Sequence, residues 1–308
     1  MKDKSNKYID LHTHTIYSDG GLAPSQLVEK AKEIGLIVIA VSDHESTDGV
    51  DEAIRKGKKL GVEVVPAVEI TSYPTPLTEH HILGYFVDCG NKNLQDELAK
   101  IRRVREERSK KVIEKLNSLG FQINFGDVKA LSSGTIVAPH IAWSIVGDAE
   151  NHKKLKKEFG QVPDTGEFIR KYLIPGAPAY VAREAMTPKE AIDLIHEAGG
   201  IAVVAHPCWT LVEKKEGKLE FDDAGFGDLV EDGIDGVEAL AHRENEEDTK
   251  KCVEHFSKLA EKNNLVVTGG SDFHGFGSAG KNLGFVDFYL KVPYEILENL
   301  KLRIHNSK

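Results

Sequence analysis

Six histidines and four acidic residues are placed as metal ligands would be: His12-Thr13-His14 followed by Asp19, then Asp43-His44, Glu69, His81, His206 and a late Asp272-Phe273-His274. Imidazole nitrogens mixed with carboxylate oxygens suit manganese, iron or zinc better than magnesium or calcium. Several such ions held together activate water and stabilise growing negative charge. The chemistry indicated is that of a polynuclear metallohydrolase centre. Each HxH or DxH pair falls at or just past the end of an apolar run, residues 8–11 and 265–268. Alternation along a strand aims residues i and i+2 at one side, so one strand end can present two ligands to one ion.

Taken alone the HxH is weak, because 13 histidines in 308 residues give roughly half an HxH by chance. Its weight comes from the others, which recur independently at the same end of successive β-like runs. Burying the whole set without ions would strand many polar groups.

The elements that must position these residues alternate in the first third of the chain. Apolar runs cover residues 36–41, 62–68 and 81–87 after the opening run, with amphipathic helices expected over 24–34 and 48–60. Pro24 suits a helix first turn, and Gly35 and Gly61 sit where helices should stop. This is β-α-β traffic, which predicts parallel strands with the ligands at their C-terminal ends, where α/β barrels build active sites. From residue 89 to 177 helical periodicity takes over: Ile101, Val104, Val112, Leu116 and Leu119 recur at three- and four-residue spacings before Gly120. The expected organisation is a barrel from 1–88 and 178–308 with a helical cap inserted over 89–177. In the second barrel part a helix is expected over 188–198, strands over 201–205, 236–240 and 265–268, and a helix over 246–263.

The length and a 40% hydrophobic content support one such barrel with its insertion. A net charge of -9 argues against a surface that grips nucleic acid by its phosphates, so a nucleic-acid substrate would be held locally at the ions. Cys89, Cys208 and Cys252 form neither a CxxC pair nor a disulfide framework, which suits a reducing compartment. No stretch approaches the roughly 18 apolar residues of a membrane span, and the expectation is a cytoplasmic protein with no membrane and no obligate protein partner.

The chain resembles the PHP (polymerase and histidinol phosphatase) superfamily. The resemblance rests on Asp10-Leu11-His12-Thr13-His14 with Ser18-Asp19-Gly20, Val41-Ser42-Asp43-His44, Glu69, His81-Ile82-Leu83-Gly84, Ala205-His206-Pro207 and Gly270-Ser271-Asp272-Phe273-His274. Ala138-Pro139-His140, Lys171-Tyr172-Leu173, Pro178-Ala179-Tyr180-Val181 and Ala198-Gly199-Gly200 make it most similar to a branch of small phosphoesterases. That branch holds a nucleoside 3',5'-bisphosphate phosphatase and a 5'-3' exoribonuclease on short RNA. The resemblance implies a distorted seven-stranded β/α barrel with a trinuclear site, usually of manganese and sometimes of iron or zinc. It implies that His12, His14, Glu69 and Asp272 hold a first ion, Glu69, His81 and His206 a second, and Asp19, His44 and His274 a third. Three divalent ions against three carboxylates and a bridging hydroxide leave a net charge of about +2, which suits a phosphate dianion. Attack on phosphorus by that hydroxide needs no serine or cysteine nucleophile. Ser42 and Ser271 are read as backbone hydrogen-bonders, and Asp43 as orienting His44 or its strand.

His140, from the cap, resembles a substrate-facing histidine of the branch and is expected to bind phosphate or protonate the leaving oxygen; with Asp272 it is the residue placed at the reacting atoms. Ala138 departs from the arginine common before that Pro-His pair, and Arg183 and Arg243 are the substrate-binding candidates that could replace it. The run Arg102, Arg103, Arg105, Arg108, Lys110 and Lys111 on the first cap helix is a further candidate for that place, although its plainer reading is a solvated face paired with Glu106, Glu107 and Glu114. Glu45 stands where aspartate is usual and is assigned no role. The expected substrate is a small phosphorylated molecule, a nucleotide first. The alternatives are a short oligonucleotide degraded from its 5' end, another small substrate such as histidinol phosphate or a cyclic sugar phosphate, and a non-catalytic metal-binding module.

Overall fold

The computed structural model describes residues 7–75, 78–182, 186–275, 282–285 and 290–306. Short valine- and isoleucine-rich segments form its inner sheet: β1 (Tyr8–Asp10), β2 (Val38–Val41), β3 (Glu63–Thr75), β4 (Thr78–Tyr85) and β5 (Ile201–Val204). A separate hairpin, β6 (Val212–Lys215) with β7 (Lys218–Phe221), precedes β8 (Gly236–Leu240), β9 (Val266–Gly269) and β10 (Val292–Pro293). The sheet order is β10-β1-β2-β3-β4-β5-β8-β9. At the ligand-bearing end the two flanks meet. Leu11 N–H donates to Gly269 O at 3.2 Å, His14 N–H donates to Phe273 O at 2.9 Å, and Thr13 bridges Phe273 in parallel. The barrel is thus nearly closed, with seven staves and the two-residue β10 laid antiparallel on β1.

One expectation fails. β4 runs antiparallel to both β3 and β5, so the sheet is not uniformly parallel. Two residues separate β3 from β4, too few for the crossover of a dozen or more that a parallel return needs. His81 therefore lies in the first half of β4 rather than at its C-terminal end, and it reaches the site end because the strand is reversed. Both faces of the staves are buried. Val38 and Ala40 of β2 face the interior cluster, while Ile39 and Val41 pack on the outer helices, and hence the runs read as continuously apolar.

Those helices are α1 (Pro24–Glu33) and α2 (Val50–Leu60) on the first half, and α8 (Pro188–Glu197), α10 (Asp223–Asp232), α11 (Glu246–Lys262) and α12 (Glu295–Asn306) on the second. A single turn, α9 (Pro207–Thr210), follows β5. Between β4 and α8 lie α3 (Lys92–Ser118), α4 (Phe125–Ala130), α5 (Ala138–Val146), α6 (Ala149–Phe159) and α7 (Thr165–Tyr172). They carry a hydrophobic cluster of their own, built on Phe121, Ile141, Leu155 and Phe168. α3 joins two clusters: Leu94 and Leu98 pack into the one under β4, β5 and α8, Val112 and Leu116 into the one built on Phe121 and Phe168. No helix of the described residues is long and apolar enough to cross a membrane.

Candidate metal centre

The nine residues singled out as ligands come together at one end of the barrel. Donor atoms within 4.8 Å of one another fall into four overlapping groups: His14, Asp19, His44 and His274; His12, His14 and Asp272; His12, Glu69 and His206; His44, Glu69 and His81. Glu69, fully buried on β3, is the hub. Its Oε2 lies 3.3 Å from both His12 Nε2 and His14 Nε2 and 3.1 Å from His44 Nδ1, yet it makes no hydrogen bond. Its Oε1 takes His81 Nδ1 at 2.8 Å and His206 Nε2 at 3.1 Å. Asp19 Oδ1 is also without a hydrogen bond, 3.2 Å from His274 Nε2. Lone pairs that converge without hydrogen-bond geometry, and imidazole nitrogens as close as the 3.1 Å between His12 Nε2 and His14 Nε2, are what a shared cation requires. The donor set fits divalent ions.

A ring of buried acids braces these donors. Asp10, two residues before His12, accepts from His12 N at 3.2 Å, from Ser271 N at 2.9 Å and Ser271 Oγ at 2.5 Å, and from Gly284 N at 2.7 Å, joining the first and last staves. Glu238 on β8 accepts from His12 Nδ1 at 3.0 Å and from His206 N at 2.8 Å, fixing which nitrogen of His12 faces the centre. Glu238 and the bracing role of Asp10 were missed in the sequence, although a lone carboxylate inside the apolar stretch Gly236–Leu240 was a legible signal. Asp43 does not orient His44 through its side chain. Its carboxylate accepts from Thr15 N at 2.7 Å, Thr15 Oγ1 at 2.6 Å and Ser18 Oγ at 2.6 Å, and so holds the turn that carries Asp19. Ser42 behaves as expected, donating to Thr13 O at 3.1 Å.

Glu45 also has a role after all. It is buried, with φ of 47°; its carboxylate takes Arg105 Nη2 at 2.7 Å and Thr71 N at 2.9 Å, and its carbonyl takes Arg102 Nη1 at 2.6 Å. The reading of the Arg102 to Lys111 run as solvated is thus wrong at Arg105, which is 8% exposed. His206, at φ 28°, and Asp272, at φ 53°, share this unfavourable left-handed backbone, which costs on the order of 1–3 kcal/mol per residue and persists only where the surroundings enforce it.

Without ions the electrostatics are sharply polarised. Burial pulls His14 and His81 down, but the facing carboxylates outweigh it and raise each to about 10. His12 is raised in the same way by Glu238, Glu69 and Asp272 against its burial. His44 is the exception: burial dominates and lowers it to about 4. Burial pushes Glu69 and Asp19 up, and the surrounding imidazoles hold both well below the usual carboxylate range.

The substrate candidates fare differently. His140, fully buried on α5, accepts from Val137 N through Nδ1 at 3.1 Å, which places its proton on Nε2, on the side of the Ser18 carbonyl and Asp19. Burial lowers its pKa, partly offset by Asp19 and the Ser18 carbonyl, so the ring is neutral near pH 7. Trp143 stands edge-on to it at 5.3 Å. Arg243, 5% exposed, stacks on Trp209 with 4.7 Å between guanidinium carbon and ring centroid, and its Nε and Nη1 have no hydrogen-bond partner among the described residues. Arg183 lies outside the described residues.

A nearly closed barrel with a convergent histidine and carboxylate cluster at one mouth defines a metal-dependent phosphoesterase, a hydrolase acting on phosphate esters. The chain belongs to the PHP family: the PHP domain matches residues 10–154. It is 32% identical over 290 residues to a 5'-3' exoribonuclease of Haemophilus influenzae, covering 93% of this chain and 98% of that protein. It is 29% identical over 307 residues to a 3',5'-nucleoside bisphosphate phosphatase of Chromobacterium violaceum, covering 96% and 97%. Among solved structures, one from Bifidobacterium adolescentis described as a metal-dependent phosphoesterase superposes with a TM-score of 0.77 at 28% identity, covering 98% of each chain.

Proposed function

We propose that this chain is a phosphatase of nucleotides, acting on nucleoside 3',5'-bisphosphates with three divalent ions, manganese first and iron or zinc as substitutes. His12, His14, Glu69 and Asp272 would hold one ion, Glu69, His81 and His206 a second, and Asp19, His44 and His274 a third. Bound ions supply Lewis acidity and an activated water. The protein does the rest: Glu238 and Asp10 fix His12, and Asp43 fixes the Asp19 turn. Residues 89–177 serve as a cap over the mouth, and the free cysteines suit work in a reducing cytoplasm.

The observation that carries this reading is His140, a buried cap imidazole with Nδ1 engaged and its Nε2 side at Ser18 and the ligand Asp19. A neutral Nε2–H donates a hydrogen bond; it is a poor proton source. His140 is therefore assigned to holding a phosphate oxygen rather than to protonating the leaving group. The bisphosphate phosphatase relative, matched through the cap as well as the barrel, supports the choice of substrate.

A second reading, degradation of short RNA from its 5' end, is favoured by Trp143 and Trp209, 38% and 44% exposed, as stacking surfaces, and by the exoribonuclease relative. The test is phosphate release by manganese-loaded protein from adenosine 3',5'-bisphosphate beside AMP, histidinol phosphate, a cyclic phosphate and a 5'-phosphorylated oligoribonucleotide. Selective release from the bisphosphate, abolished in Asp272→Ala and His14→Ala, is expected. Turnover of another of these substrates alone sinks the reading.

A further inference from the structure

A cavity of about 540 Å³ lies between β3, α3 and α8, and it approaches the ligand cluster through Thr71, the register partner of His81. Its inner end is basic. Thr71 lies two residues beyond Glu69 on β3 and pairs in register with His81, so its side chain emerges on the ligand side, roughly 7 Å of strand rise above the hub. Its hydroxyl accepts from Arg105 Nη2 at 2.6 Å. That one nitrogen also serves Glu45, so Nε and Nη1 of Arg105 make no hydrogen bond among the described residues. One helical turn along α3, Arg108 gives Nε to Val181 O at 2.8 Å and lies over the Tyr180 ring at 5.7 Å, and its terminal nitrogens make no hydrogen bond among the described residues. Both arginines line the cavity.

The acids of the same cavity are engaged elsewhere. Glu97 pairs with Lys100 at 3.1 Å, Glu190 caps α8 through Thr187 N at 2.8 Å, Asp193 takes Lys189 at 2.6 Å, and Glu197 takes Asn93 Nδ2 at 2.7 Å. Among the described residues no carboxylate pairs with Arg108, and Glu79, whose charge acts on both guanidiniums, is hydrogen-bonded to His81 Nε2 at 3.0 Å. Burial and the nearby Arg105 charge lower the basicity of Arg108, with Tyr180 and Glu79 offsetting only part of it, and a further anion bound between the two arginines would relieve the rest.

We propose that Arg105 and Arg108 form the subsite for a second anionic group of the substrate, a phosphate on the far side of the sugar from the one being cleaved. They would take the place of the arginine missing at Ala138. The assignment rests on the nucleotide bisphosphate reading above. Arg105 is half committed to positioning Glu45 beside His44; Arg108 is not, and it is the cleaner probe.

The experiment compares wild type, Arg108→Gln and Arg105→Lys, each checked by thermal melting, on adenosine 3',5'-bisphosphate and on p-nitrophenyl phosphate, which has no second anion. The ratio of kcat/KM for the bisphosphate to that for p-nitrophenyl phosphate should fall about tenfold or more in Arg108→Gln, mostly through KM, as expected for loss of a charge-assisted pair. An unchanged ratio overturns the subsite. If wild type turns over p-nitrophenyl phosphate but leaves the bisphosphate intact, the nucleotide reading fails by itself, and the bisphosphate is then used as an inhibitor. Inhibition about tenfold weaker in Arg108→Gln upholds the subsite; equal inhibition removes it.

Discussion

Glu238→Gln is the sharpest test of how the centre is held. The carboxylate is fully buried and accepts from two groups, His12 Nδ1 at 3.0 Å and the His206 backbone N–H at 2.8 Å. Glutamine keeps the volume and one acceptor oxygen but loses the charge that aligns His12. A hydrogen bond to a charged group contributes about 1.5–3 kcal/mol. At about 1.4 kcal/mol per factor of ten, that corresponds to roughly 10- to 100-fold in metal affinity or turnover, the range seen when groups behind metal ligands are altered. Glu238→Ala adds a cavity and leaves the His206 N–H without an acceptor, a further cost of about 1–3 kcal/mol in stability. The assay is a manganese titration of p-nitrophenyl phosphate hydrolysis, with thermal melts run alongside. The glutamine variant should melt near wild type yet need at least tenfold more metal or turn over at least tenfold slower, and the alanine variant should also melt lower. A glutamine variant with wild-type rate and metal dependence would refute the reasoning.

Three further outcomes are expected. Because His14 and His81 rise to about 10 without ions, and ions bind neutral imidazole, metal loading at pH 7 should release about two or more protons and tighten as pH rises; calorimetric heats independent of buffer ionisation would contradict this. Asp235 accepts from His196 at 2.7 Å and Ala202 N at 3.0 Å and lies 3.3 Å from Arg303; burial pushes its carboxyl up, but these partners hold it below 3.8. A depressed carboxyl stabilises fully above the unfolded value and loses that contribution as pH falls through the folded one. Asp235→Asn should therefore cost about 1–2 kcal/mol at pH 7, with the gap to wild type narrowing below pH 4; a gap constant across that range in denaturant melts would count against it. Gly270→Ala would put a Cβ 2.3 Å from His12 Cβ and 2.4 Å from His12 N, costing about 1–3 kcal/mol and weakening metal binding, which an unaltered melting temperature would disprove.

The ligands were legible because charged residues at the ends of apolar runs have few other uses, and His12, His14 and Asp272 each came with a partner two residues away. Glu238 had the same buried setting but no flanking histidine, so nothing in its neighbourhood drew attention to it. The reversal of β4 was inferable from the missing helix between the runs at 62–68 and 81–87. Glu45 and Arg105 could not be read, since their pairing joins residues 60 apart and depends on how α3 settles against the barrel. Periodicity fixes the side a helical residue occupies, not what covers it. The same limit hid Asp43's attachment to the 15–18 turn rather than to the adjacent His44.

The meeting of the first and last staves at the barrel mouth gives the ions a second task. Asp10 bonds Ser271 across 261 residues of chain, and His14 faces Asp272 at the same seam. An ion gripped by both sides of that seam is a clasp on almost the whole polypeptide. Closing a loop of that length removes roughly 5–6 kcal/mol of freedom from the unfolded chain, by the same statistics that govern a crosslink. Stripping the metal would then unfasten the enzyme as well as silence it, and a chain cut short before Asp272 would have neither catalyst nor clasp.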